Sequence, residues 1–499
     1  MSSIQIDLSE LIRIIRTNGN KQANSLFAEK GKNTKIRQLA KKFAFEKNRD
    51  EPAWAREIFE DSENSTSYTW HRSQLRRELL DQLFLLDNHT GSDRRKAMYR
   101  LRKSVFSIRV LLLFGARRTA MSLVPVAMKI ADAFELTADR IVLLEALTSN
   151  AALNGWKLKF ERYDSELQKA VRLNVAEFEI TSLIQRINVE SIGHARPTPR
   201  TKSLAETTPH EARLLFREFP TFNVGLAYYR IVVSSAQVLN DFKRGRALCR
   251  DALVFLSRFP KLNTAATQGE FELNQLWMAL SSRSFEDAAE YAAQCQKLFR
   301  MGTNNWFIAQ EYAFLLHMHS RQWHEAAALL EQVVTQNRFT SQPEQVRQKW
   351  ELFGHYVALS SGSGLKPFPS TRSNTFRKIL HEVPIYHQDK GGYNTSLFIL
   401  QYLILASEGN RKALSERSEA MAKFIYRNYR GLHELQAYAF LRTLLILIQS
   451  EFNVQITKKR AKRYIESFSE AGREKIDETQ TLPFDLMWEW VARSVGINK

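Results

Sequence analysis

The sequence predicts an all-α protein, and more narrowly an α-solenoid of stacked antiparallel helical hairpins with a basic helical N-terminal region. Three observations carry this. Gly and Pro number only 19 and 12 in 499 residues, too few for the tight turns of a β-rich chain. Leu, Ala, Glu, Lys and Arg dominate, and apolar residues recur at helical spacing. One pattern of helix opening, an aromatic followed three residues later by a small residue, is written three times between positions 240 and 340.

The first region, residues 1–110, is basic. It holds 22 Lys/Arg against 14 Asp/Glu. Leu8, Leu11, Ile12 and Ile15 share one face of a first helix, which Asn18-Gly19-Asn20 ends. A second helix is expected over Pro52–Glu60, with Pro52 in its first turn. Ser62–Ser67 reads as a polar loop. A third helix follows over Ser73–Leu86, with Leu75, Leu79, Leu80, Leu83 and Leu86 in its apolar stripe. A fourth spans Asp93–Arg109, with Asp93 as its cap.

Residues 111–190 predict hairpins over Ser122–Ala133, Ala138–Leu153 and Lys157–Asn174, with Asn154-Gly155 as a break. Residues 191–209 read as a linker because prolines, a glycine and hydroxyls cluster there. Repeats are expected over 210–360, a loop over 361–378, and C-terminal hairpins over 379–499. The last segment includes helices at Thr395–Ser407, Lys412–Arg427, His433–Phe452, Lys459–Ala471 and Pro483–Val495, after a short one at Phe376–Leu380.

The three similar segments are Asp241–Phe259, Ser284–Phe299 and Gln322–Phe339. Their aromatic anchors, Phe242, Phe285 and Trp323, each precede a small residue by three positions: Gly245, Ala288 and Ala326. The second helix of a hairpin must approach the first closely beside the turn, which a small residue permits, while the aromatic fills the wedge. A single hairpin cannot bury its apolar face, so neighbours stack. Trp323→Ala is expected to cost about 3–5 kcal/mol, the usual range for truncating a buried aromatic, with its effect centred on residues 270–360.

Trp323-His324-Glu325-Ala326 and Trp350-Glu351-Leu352-Phe353-Gly354 resemble the second-helix and first-helix signatures of tetratricopeptide repeats. Phe314 stands where that family places a small residue, and the units exceed its usual length. The resemblance covers about 120 residues firmly. It implies architecture, with a surface for a protein partner, and no particular chemistry.

Little in the sequence speaks for catalysis. His317, His319 and His324 lack the i, i+4 spacing of a metal pair. His381-Glu382 is followed by Pro384 rather than a helical x-x-H. His387, Asp389 and Lys390 in the polar segment His381–Asn394 read as connection chemistry, and Gly362-Ser363-Gly364 lacks the rest of a phosphate loop. No nucleophile elbow occurs. The sequence therefore predicts a non-enzyme with no cofactor and no metal.

The net charge is +19, which biases the chain toward acidic partners. Arg72, Arg76, Arg77, Arg94, Arg95, Lys96, Arg100, Arg102 and Lys103 are the candidate contacts to an acidic partner or to nucleic acid. No apolar run reaches the ~20 residues of a membrane span. The two cysteines, Cys249 and Cys295, form no paired framework, so a cytoplasmic setting is expected. The leading reading is a scaffold or adaptor that binds a protein through an acidic or peptide-like surface. The alternative is a nucleic-acid-binding regulator that contacts phosphates through the basic N-terminal region.

Overall fold

The computed structural model describes residues 3–19, 27, 34–46, 50–86, 92–191, 197–360, 393–430, 436–469, 476 and 480–496. Among these the chain is all-helical, with no strand and a single isolated bridge between Gly19 and Leu86. Residues 361–392, which hold the Gly362-Ser363-Gly364 stretch, the Phe376–Leu380 helix and most of the His381–Asn394 cluster, lie outside the description. The chain divides into two compact units, Met1–Val175 and Ala176–Lys499, so the division falls within a helix rather than at the expected linker.

In the first unit, α1 (Ser3–Asn18), α2 (Lys35–Phe45), α3 (Glu51–Phe59) and α4 (Thr66–Gln82) enclose one core. Thr34, Asp50 and Ser65 cap the last three, each side chain accepting an N–H from the first turn. Leu8, Ile12 and Ile15 are buried against Leu39, Phe43, Trp54 and Leu75, so the apolar stripes of α1 and α4 face each other. The stripe of α4 stops short of its expected length. Leu80 is exposed, and the chain tightens into a 3₁₀ turn over Leu83–Leu85.

Four longer helices follow: α5 (Asp93–Leu113), α6 (Arg117–Ala133), α7 (Thr137–Leu153) and α8 (Lys157–Ser191). Helix α5 crosses the expected boundary at residue 110. Helix α6 begins five residues before expected and runs through Pro125. Ala120, Val124, Ala127 and Ala131 form its buried face; small side chains there allow α5 and α7 to approach. The connections are three-residue turns with left-handed residues at Gly115, Glu135 and Gly155, a period of 20 residues. Each turn closes with the same long-step bond: Ala116 N–H to Leu111 O (2.8 Å), Leu136 N–H to Ala131 O (2.9 Å) and Trp156 N–H to Ala151 O (2.9 Å). These are Schellman closures, which satisfy carbonyls orphaned at a helix end.

The second unit contains α9 (Pro199–Glu218), α10 (Phe222–Val238), α11 (Phe242–Ser257), α12 (Ala265–Ser281), α13 (Phe285–Leu298), α14 (Asn304–His319), α15 (Trp323–Val334) and α16 (Glu344–Ser360). Each packs against the next from α9 through α16. The expected linker is helical from Pro199 onward: Thr198 caps α9, Pro199 occupies its first turn, and Pro209 sits inside. The prolines that read as a break are therefore partly a helix start. After α16 come α17 (Tyr393–Ser407), α18 (Arg411–Glu416), α19 (Ser418–Tyr429), α20 (Gln436–Gln449), α21 (Val454–Arg460), α22 (Lys462–Phe468) and α23 (Phe484–Val495). The expected Lys412–Arg427 helix is thus interrupted at Arg417, and the expected Lys459–Ala471 helix at Ala461. A continuous core reaches from Leu276 to Val495.

Glycines mark two close approaches. A methyl on Gly225 of α10 would overlap the ring of Phe255 on α11, and one on Gly269 of α12 would overlap Phe299 at the end of α13. Alanine favours a helix over glycine by about 1 kcal/mol, yet overpacking against a buried ring costs about 1–3 kcal/mol. Gly225→Ala and Gly269→Ala should therefore each lower stability in urea unfolding. A rise in midpoint would show that the rings swing aside at no cost.

Candidate functional site

The repeat anchors lie in matching local settings. Phe242, Phe285 and Trp323 each occupy the first helical position after a turn whose left-handed residue is Asn240, Arg283 or Arg321. The closing bonds match too: Asp241 N–H to Ala236 O (2.9 Å), Ser284 N–H to Ala279 O (2.8 Å) and Gln322 N–H to His317 O (2.8 Å). Gly245, Ala288 and Ala326 are all buried. Phe242 is buried and meets Trp277 edge-on at 5.4 Å. Phe285 and Trp323 are only half-buried at the core's margin, so truncating Trp323 removes less buried surface than the sequence led us to expect.

A second recurring signal escaped the sequence reading. Thr221, Thr264 and Thr303 cap α10, α12 and α14, each hydroxyl accepting an N–H three residues on. Helices thus alternate between a threonine-capped first member and a second member that follows the left-handed turn.

Polar contacts join equivalent helices of consecutive pairs. Arg230 on α10 grips Glu270 on α12 with two bonds of 2.7 and 2.6 Å, and Gln237 donates to Asn274 at 2.7 Å. Arg246 on α11 pairs with Asp287 on α13, and Lys349 on α16 with Glu311 on α14. The partners lie 40, 37, 41 and 38 residues apart, close to the anchor spacings of 43 and 38 that follow from the numbering.

The nine candidate cations of the N-terminal region are not one patch. Arg72 is mostly buried and pairs with Glu51 at 3.2 Å, which also accepts the Tyr68 hydroxyl at 2.7 Å. It serves the core. Lys96 pairs with Asp93 at 3.6 Å and Arg102 with Asp139 at 3.7 Å. Burial pushes the Asp139 carboxyl up and Arg102 opposes that shift. Lys103 lies 5.0 Å over the Tyr99 ring. Arg76, Arg77, Arg95 and Arg100 are exposed, and Arg94 is half-buried.

The histidine group does not converge. His317 Nδ1 meets Gln322 Oε1 at 2.7 Å, while His319 is buried with Nε2 at 2.8 Å from Gln480 O. Among the described residues no cluster of His, Cys, Asp and Glu could hold a metal. Burial pushes both thiols up, that of Cys295 to about 12, so neither is ionised near neutrality. No helix among the described residues is long and apolar enough to cross a membrane. Compared with known proteins, the chain matches no family model, no curated protein and no solved structure.

Proposed function

We propose that the chain is a non-catalytic, tetratricopeptide-like helical-repeat adaptor whose stacked hairpins, residues 222–360, hold a protein partner. One observation carries this reading: Arg230–Glu270 and Arg246–Asp287 each join residues about one repeat length apart, 40 and 41 positions. Helix pairs stacked at a regular sequence interval build an extended surface, which repeat proteins use for binding. On α11 the exposed Lys243, Arg244 and Arg250 suit an acidic peptide or helix, since charge complementarity sets partner choice and encounter rate.

Affinity capture from nuclease-treated lysate tests this. The full chain should retain a stoichiometric protein partner that the variant K243E/R244E/R250E loses. An identical partner set on both would overturn the acidic-surface reading, and capture abolished by nuclease would favour the nucleic-acid alternative. That alternative has weaker support, because Arg72, Lys96, Arg102 and Lys103 already have partners within the fold.

A further inference from the structure

In the first unit, α5 and α7 run parallel, because two tight turns reverse the chain between them, and they pack together. Helices α6 and α7 are each 17 residues long, about 25 Å at 1.5 Å per residue. Helix α7 therefore returns the chain to the level at which α6 began. The turns at 114–116 and 154–156 share one end of this three-helix layer, and the turn at 134–136 lies at the other.

The two ends differ sharply although their turns share one geometry. At the shared end Leu113, Phe114 and Leu158 are 80, 81 and 82% exposed, Leu153 is 68% and Trp156 44%. At the other end Phe134 and Leu136 are half-buried. Cations surround these apolar tips. The shared end carries exposed Arg109, Arg117, Arg118, Lys157 and Lys159, and Lys159 Nζ sits 4.3 Å over the Trp156 ring. The opposite turn mixes Asp132, Glu135 and Asp139 with Lys129 and Arg140, and its acids are paired, Asp132 with Arg140 at 2.7 Å and Asp139 with Arg102 at 3.7 Å. Turn geometry therefore does not account for the exposed apolar tips.

We propose that this end docks on an anionic phospholipid surface. The apolar side chains enter the boundary between headgroups and acyl chains while the surrounding cations meet lipid phosphates. Side chains this exposed, on two adjacent turns, project outward and line no groove. Projecting apolar groups ringed by Lys and Arg match a bilayer interface, where buried apolar area and attraction to anionic lipid act together. Nucleic acid would reward the cations and could stack the aromatics, but it offers nothing to Leu113, Leu153 or Leu158.

Cosedimentation of the full chain with phosphatidylcholine vesicles, with and without phosphatidylserine, tests the proposal. Binding should require phosphatidylserine. The variant L113S/F114S/L158S and the variant R117E/R118E/K157E/K159E should each weaken it at least ~10-fold with unchanged circular dichroism, because every altered side chain is exposed. Y426S, at an exposed position in the other unit, should bind as the unaltered chain does. Absence of binding to anionic vesicles overturns the proposal. So does binding that the charge variant loses and the apolar variant keeps, and competition by duplex DNA that shows this same pattern assigns the surface to nucleic acid instead.

Discussion

Trp350→Ala is expected to destabilise the unit Ala176–Lys499 by about 3–5 kcal/mol, the range for emptying a buried aromatic site. The indole is fully buried. It meets Phe314 edge-on at 5.7 Å and Phe353 at 5.4 Å, and those two rings stack at 4.5 Å. These three rings join α14 to α16, so their loss opens a seam between consecutive helix pairs. The indole N–H has no acceptor among the described residues. Trp350→Phe should therefore cost under about 1.5 kcal/mol, because it removes an unsatisfied donor along with some volume. Trp323→Ala is the internal control and should cost clearly less than Trp350→Ala. Urea midpoints give the ranking, and hydrogen exchange should loosen mainly within 304–360. Equal costs at Trp350 and Trp323, or loosening spread evenly over 197–496, would contradict this account.

Acid should weaken the same unit through His319 and His355. Burial lowers both to about 4 from the ordinary 6.5, and for His319 the cation of Arg283 adds to the effect while Gln480 O opposes it. The folded state thus keeps these rings neutral while the unfolded chain protonates them near 6.5. Their contribution is fully present above that pH and is lost as pH falls from 6.5 toward 4. A fall from 6.5 to about 4 is worth about 3 kcal/mol per histidine at pH 4. Because carboxylates titrate in the same window, the test is a difference: unfolding free energy of the unaltered chain minus that of His319→Gln/His355→Gln, followed from pH 7 to pH 4. The difference should fall with acid. A flat difference would place both rings in contact with water.

Much of the helical class was legible because apolar periodicity writes it directly. Leu8, Ile12 and Ile15 face the core as their spacing required. The departures have local causes. Proline marks both helix starts and chain breaks, so Pro199 read as linker although it opens α9. The 20-residue period of the turns at 115, 135 and 155 was hidden because Glu135 takes the left-handed conformation without a glycine to announce it. Arg72 looked like a surface cation because its partner Glu51 lies 21 residues away on another helix. Leu113 and Phe114 are apolar yet face outward; residue type records the cost of exposure, and only tertiary packing shows which residues bear it.

The spacing of the polar bridges also bears on how such a chain can change length. Arg230 meets Glu270, and two helix pairs further along Glu311 meets Lys349. Counted back from the anchors Phe242, Phe285 and Trp323, Arg230 and Glu311 stand at the same position and Glu270 three residues earlier, so excising a whole pair in frame would set Arg230 against Ile308 rather than an anion. A second copy of α12 and α13 would likewise set Glu270 against Leu273. Each joint is therefore fitted to its own two helices, and a chain that gained or lost a helix pair would have to rebuild the bridges on either side.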